Sequence, residues 1–206
     1  MAEMIDIYTK DGVKTGTISK REYYTMQGDV PWIKCCTCFV VDQETNKMLF
    51  EKRGKRFLDP GKLDLCSGHV RSNELPIQGM VRELGEELLI DQSVARNVQY
   101  LGMIDVDYTN LEDETNRKNL KCFVSCYALK VRNQSEVSTD GREAISKGWL
   151  DYEDAIGFIS NSMTRLPYEQ GLAKKYEQIF EKLRTFMNLE QTNRNVPQEK
   201  GEWFYA

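Results

Sequence analysis

Residues 32–42 read WIKCCTCFVVD, a run of apolar and small side chains with no turn signal inside it. A strand with one wet face alternates apolar and polar residues. One this uniformly apolar suits the middle of a sheet covered on both faces. Helices must then flank it on two sides. One is expected from about Leu75 to Leu88, where Ile77, Met80, Val81, Leu84 and Leu88 fall three or four apart. A second runs from Pro167 to Leu189, with Leu172, Tyr176, Ile179, Phe180, Leu183 and Phe186 on one face, and a shorter one is expected at Tyr152 to Asn161. These elements predict an α/β fold: an α/β/α sandwich with a mixed β-sheet between helices.

The other strands follow from turn signals and alternation. Met4 to Ile18 reads as a hairpin around Asp11-Gly12, and residues 19–30 as a connector with a weak helical tendency. Lys47 to Lys52 is the partner of the central strand, Leu63 to Cys66 a short strand, and Val98 to Tyr108 and Leu120 to Val131 are longer ones. The expected organisation is a single domain over 1–206. Its core covers about 30–165, with an N-terminal hairpin extension at 1–29 and a C-terminal helix and tail at 166–206.

Composition narrows the classes of partner. The net charge of −4 and the lack of a long basic run leave no electrostatic footprint for a nucleic-acid polymer. No apolar run approaches the ~18 residues of a membrane span. The segment MAEMIDIYTK lacks the basic start and apolar core of a secretory signal, so the expected location is the cytoplasm. The six cysteines are then expected to be reduced thiols, those at 35, 36 and 38 in the core. No C-x2-C pair accompanies them, and the one histidine is His69, so a structural zinc is not expected.

The chemistry concentrates in 68–90, GHVRSNELPIQGMVRELGEELLI. Glu83, Glu86 and Glu87 repel one another at helical spacing, by a few tenths of a kcal/mol per pair. Such a cluster is either a solvated face or a site for a hard divalent cation, which takes oxygen ligands. Upstream, Arg53-Gly54-Lys55-Arg56 places three cations at a strand end. They are either a phosphate-capturing group, with Arg53 and Arg56 as forks, or an exposed basic turn.

The wider spacing resembles the Nudix box, G-x5-E-x7-R-E-U-x-E-E-x-G-U, where U is aliphatic. Gly68, Glu74, Arg82, Glu83, Leu84, Glu86, Glu87 and Ile90 match, and Leu89 stands where the family has Gly. The resemblance implies a Nudix-type sandwich. It also implies a divalent-metal-dependent pyrophosphohydrolase that cleaves the diphosphate linkage of a nucleoside diphosphate joined to another moiety. Mg²⁺ is the expected cofactor, with Mn²⁺ as a substitute, and the partner is a small-molecule diphosphate.

Carried over by position, Glu83, Glu86 and Glu87 hold metal, together with the backbone carbonyl of Ser67. Glu83 or Glu86 is the general base. Glu74 and Arg82 brace the loop against the helix, and Gly68 turns the chain beside the metal. An acidic ligand outside the box is expected at Glu143, with Glu112, Asp113 and Glu114 as competitors. His69 is either a substrate contact or a solvent-facing loop residue. Substrate choice is expected from Arg53, Arg56, Tyr108 and the 110–119 loop. Homodimers are common in the family.

The stretch Phe57 to Ile90 also resembles a subfamily related to type 1 isopentenyl-diphosphate isomerases, through its basic segment, Pro60-Gly61 and Gly68-His69-Val70. Those isomerases use several histidines, and a catalytic Cys directly before Gly-His. Here that position is Ser67, and Cys66 lies one residue early. Isomerase chemistry and a non-catalytic nucleotide-binding module are the alternatives to hydrolysis.

Overall fold

A computed structural model describes residues 2–54, 63–107, 120–164 and 170–189. Arg56, Tyr108, Glu112, Asp113, Glu114 and the tail from Glu190 lie outside the described residues, as does the side chain of Leu172.

The run at 32–42 forms the central strand, β3 (Trp32–Asp42), after the hairpin β1 (Met4–Tyr8) and β2 (Lys14–Ser19) and the single-turn α1 (Lys20–Tyr23). The chain continues through β4 (Met48–Arg53), β5 (Leu63–Asp64), β6 (Cys66–His69), α2 (Pro76–Leu88), α3 (Gln92–Ala95), β7 (Gln99–Asp107) and β8 (Lys121–Val131). It ends with β9 (Ala144–Leu150), α4 (Tyr152–Thr164) and α5 (Gln170–Phe186). Along its whole length β3 pairs in parallel with β8, which pairs antiparallel with β7. The opposite edge of β3 is shared in succession by β1 at Trp32, β6 at Cys35 to Cys38 and β4 at Val41. The sheet is mixed, as expected.

Period-two alternation along β3 divides the core. Ile33, Phe39 and Val41 face α4 and α5, where Tyr152, Ala155, Ile159, Ile179, Phe180 and Leu183 are buried. Cys36, Cys38 and Val40 face α2 and α3, against Met80, Leu84, Leu88 and Ala95. All six cysteines are free thiols, and five of them are buried. Among the described residues no helix is long and apolar enough to cross a membrane.

Three local features go beyond or depart from what the sequence announces. The segment 144–150 forms strand β9, paired antiparallel with β4. Its sequence AISKGWL carries a glycine and a lysine that obscure the alternation, and its partner is remote in sequence. The short strand expected at Leu63 to Cys66 is instead two, β5 and β6, and β6 runs on through Gly68 to His69 against Cys35.

Helix α2 is also rotated. Ile77, on the expected apolar stripe, is 42% exposed, whereas Glu83 and Glu87 are buried. At 100° per residue, the buried stripe is displaced by about 50° from the hydrophobic one. Apolar packing alone would turn α2 the other way.

Candidate active site

Pro76 occupies the first turn of α2, where its missing N–H is not needed, and Leu75 N–H is capped by Gln78 Oε1 at 2.8 Å. At the other end Leu89 adopts the left-handed conformation, φ 50°, ψ 31°. The geometry that a glycine would supply is thus kept by a leucine, at a cost of about 1 kcal/mol. The carboxylate spacing is unaffected.

The rotation of α2 brings two of its glutamates over β6. Glu83 lies against Gly68, where a Cβ would stand 2.6 Å from Glu83 Cγ and closer still to its carboxylate. Any side chain at position 68 would displace Glu83. Glu87 Oε2 accepts the Ser67 N–H at 3.3 Å. Glu86 points away from the sheet, its side chain half exposed. The three box carboxylates therefore do not form one face: Glu83 and Glu87 turn inward and Glu86 outward.

Arg82 ties the first group together. It donates to Glu74 Oε1 and Oε2 at 3.0 and 3.1 Å, to Glu83 Oε1 at 2.6 Å and to Glu86 Oε2 at 3.1 Å. It also donates to the His69 carbonyl at 2.9 Å, while Glu74 accepts the Arg71 N–H at 2.9 Å. Burial pushes the Glu83 carboxyl up and Arg82 pulls it back. Arg71 approaches Glu86 at 3.4 Å.

A second group makes no such salt bridge among the described residues. Glu51, on β4, is 3% exposed, and its Oε2 has no hydrogen-bond partner among the described residues. Ligand atoms of Glu51, Cys66 and Glu87 lie within 4.8 Å of one another. Burial, then the Asp64 charge, pushes Glu51 up to about 8. Burial, then Glu51, pushes Glu87 up to about 9. Burial, then the Glu87 charge, also raises the Cys66 thiol.

Sequence reasoning misses Glu51. The available signal was an acid inside MLFEKR, a strand otherwise read as core. A buried carboxylate with an unpartnered oxygen is costly unless a cation completes it. The two carboxylates and the thiol between them fit a divalent ion.

The remaining candidates have separate surroundings. Glu143 is exposed, its charge adding to the upward push on Glu51 and Glu87. Its turn is held by Asp140 Oδ1, which accepts the N–H groups of Arg142, Glu143 and Ala144 at 2.9–3.1 Å. Gly54 N–H donates to the Glu143 carbonyl at 2.8 Å, and a Cβ at Gly54 would strike the Arg142 carbonyl. Arg53 pairs with Asp64 at 2.6 Å. His69 is half-buried, not solvent-facing. Its Nε2 lies 2.7 Å from Tyr24 Oη, and burial holds its pKa down to about 3, so the imidazole is neutral.

Solved structures with this fold cover most of the chain. The DR0079 protein of Deinococcus radiodurans matches with a TM-score of 0.58 at 18% identity, over 77% of this chain and 90% of that one. A MutT protein from Methanosarcina mazei matches at 0.52 and 19%, over 78% and 98%. The NUDIX domain of Shewanella oneidensis NrtR, solved with ADP ribose, matches at 0.51 and 15%, over 81% and 99%. At such identities they show the fold alone. No curated protein matches the chain significantly. The NUDIX domain profile matches residues 35–174, which run from within β3 into the first turn of α5 and include the whole of the acidic centre described above. The chain belongs to the Nudix family.

Proposed function

We propose that this protein is a divalent-metal-dependent pyrophosphohydrolase. It would cleave the diphosphate linkage of a nucleoside diphosphate joined to another moiety, with Mg²⁺ as cofactor and Mn²⁺ as a substitute. The observation that carries the proposal is the outlay on negative charge at one end of the sheet. Glu83, Glu87 and Glu51 are buried there at 7%, 6% and 3% exposure, and α2 is turned away from its best apolar packing to put two of them there.

Glu83, Glu86 and Glu87, the Ser67 carbonyl and Glu143 are the proposed metal ligands. A bound divalent ion would neutralise phosphate charge and acidify a coordinated water. The chain's own residues do the rest. Arg82 fixes the rotamers of Glu83 and Glu86 while Glu74 holds Arg82. Gly68 leaves room for Glu83 against the backbone. Of the two candidate bases, Glu86 is the better placed to take a proton from an incoming water, because its carboxylate reaches solvent at the helix surface. Arg53 and Arg56 are the proposed phosphate contacts, with His69 as a neutral substrate contact backed by Tyr24. The protein is proposed to act in the cytoplasm, with a homodimer as its assembly.

Within the family, the Pro60-Gly61 and Gly68-His69-Val70 signatures favour a place near the isomerase-related subfamily. Hydrolysis is preferred over isomerisation because Ser67 replaces the cysteine expected before Gly-His. Cys66 is instead buried against α2.

The test is a substrate panel with Mg²⁺ or Mn²⁺, read by mass spectrometry. It includes nucleoside triphosphates, nucleotide sugars, dinucleotides, coenzyme A and isopentenyl diphosphate. Metal-dependent release of two phosphorylated products is expected. Isomerisation without hydrolysis would overturn the proposal, as would nucleotide binding without turnover.

A further inference from the structure

The Cys66 thiol lies beside the Glu51 and Glu87 carboxylates, and Glu51 comes from outside the box. We infer that Glu51, Cys66 and Glu87 form a mixed sulfur–oxygen site for a borderline-soft divalent cation such as Zn²⁺ or Co²⁺. This preference is one that the all-oxygen box does not have.

Three observations support it. The ligand atoms come from three elements that the topology brings together: β4, β6 and α2. They lie within 4.8 Å of one another. Zn–S of about 2.3 Å and Zn–O of about 2.0–2.2 Å set ligand separations near 3.3–3.8 Å in a tetrahedron, so small side-chain rotations close the gap. Glu51, only 3% exposed, brings a carboxylate to this space, and its buried Oε2 has no protein partner among the described residues. A merely structural carboxylate at that depth would be hydrogen-bonded.

The donor set decides the ion. Thiolate is a poor ligand for Mg²⁺, which holds to oxygen in near-octahedral geometry, whereas Zn²⁺ and Co²⁺ accept sulfur with carboxylate. Coordination breaks the S–H bond of Cys66. The proton leaves to solvent, the sulfur lone pair goes to the metal, and no redox change occurs. Three protein ligands leave a position open for water or a phosphate oxygen. Cys66 and Glu51 are therefore assigned as ligands beside the box glutamates, with Glu87 shared between the two sets.

The inference shares Glu87 with the proposed hydrolase, so its test does not read hydrolysis. Chelator-stripped full-length protein is titrated with Co²⁺ and followed by absorption. A thiolate-to-cobalt charge-transfer band saturating at one equivalent is expected. Excess Mg²⁺ should leave it in place, and Cys66→Ser should abolish it. Zn²⁺ competition should show an affinity loss in Cys66→Ser larger than the about 10- to 100-fold that an outer-shell partner costs, and a loss in Glu51→Gln as well. X-ray absorption at the zinc edge on the unaltered protein supplies a readout that needs no variant to fold, and sulfur scattering at about 2.3 Å is expected. Oxygen and nitrogen scatterers only, or Co²⁺ spectra identical in the parent and Cys66→Ser, would overturn the inference even if Mg²⁺-dependent hydrolysis were found. A sulfur-ligated ion in a protein that hydrolyses nothing would uphold it and sink the hydrolase reading instead.

Discussion

The two acidic groups beside β6 are solved in opposite ways. Around Glu74, Glu83 and Glu86 the protein supplies its own cation: Arg82 reaches all three within 3.1 Å. Around Glu51 and Glu87 no salt bridge forms among the described residues, and burial pushes the two carboxyls up to about 8 and about 9. In the first group every carboxylate already has a cationic partner. The second is complete only with something added. One group thus carries its own counter-ion, while the other is marked by an unpartnered oxygen among the described residues.

Removing the internal cation is the harshest way to break the comparison. Arg82→Ala leaves three carboxylates facing one another and is expected to cost about 3–5 kcal/mol of stability, read by denaturant unfolding. A loss below about 1 kcal/mol would mean that the network is decorative. Glu86→Gln, on an exposed side chain, should leave the melting temperature within a few degrees yet lower kcat by about 10²–10⁴. An unfolded variant, or one with near-normal turnover, would remove Glu86 from the chemistry.

The second group should betray itself through pH. In the folded, metal-free protein Glu51 and Glu87 bind protons up to about 8 and about 9, against 4.5 for an ordinary glutamate. The folded state then holds more protons than the unfolded one across that window. Stability must fall as pH rises from about 4.5 to about 9. The slope should be shallower in Glu51→Gln and relieved by saturating divalent metal at the alkaline end; a flat profile would show that the pair is not buried as described. The smallest effect concerns the helix exit. Leu89→Gly should stabilise by up to about 1 kcal/mol, because it removes the left-handed strain, with turnover unchanged. Destabilisation would mean that the Leu89 side chain supports the helix end.

Local signals in the sequence locate most of this architecture. β3 spans the whole of the apolar run 32–42, and α2 begins at the proline that suits a first turn. What stays hidden depends on residues far apart in the chain. β9 is defined by its pairing with β4, and no alternation in AISKGWL announces it. The rotation of α2 follows from what lies beneath it, so a helical wheel puts Ile77 inside and Glu83 outside when the reverse holds. Glu51 is legible only as an oddity in an apolar strand. Its neighbours Cys66 and Glu87 are supplied by other elements, and no spacing rule connects them. The box carboxylates are legible because their spacing is fixed within one helix.

Ser72 N–H donates to the Met4 carbonyl at 2.8 Å, Ile5 bridges to Arg71, and the Tyr24 hydroxyl meets His69. The site loop is thus clamped from behind by residues that precede the family-matched region, as well as by Arg82 from the front. Its opening is therefore a joint event. The rate at which its backbone amides exchange with solvent is set as much by how often the hairpin lifts as by anything at the acidic centre. Residues that never meet a substrate can in this way govern how long the loop keeps its shape.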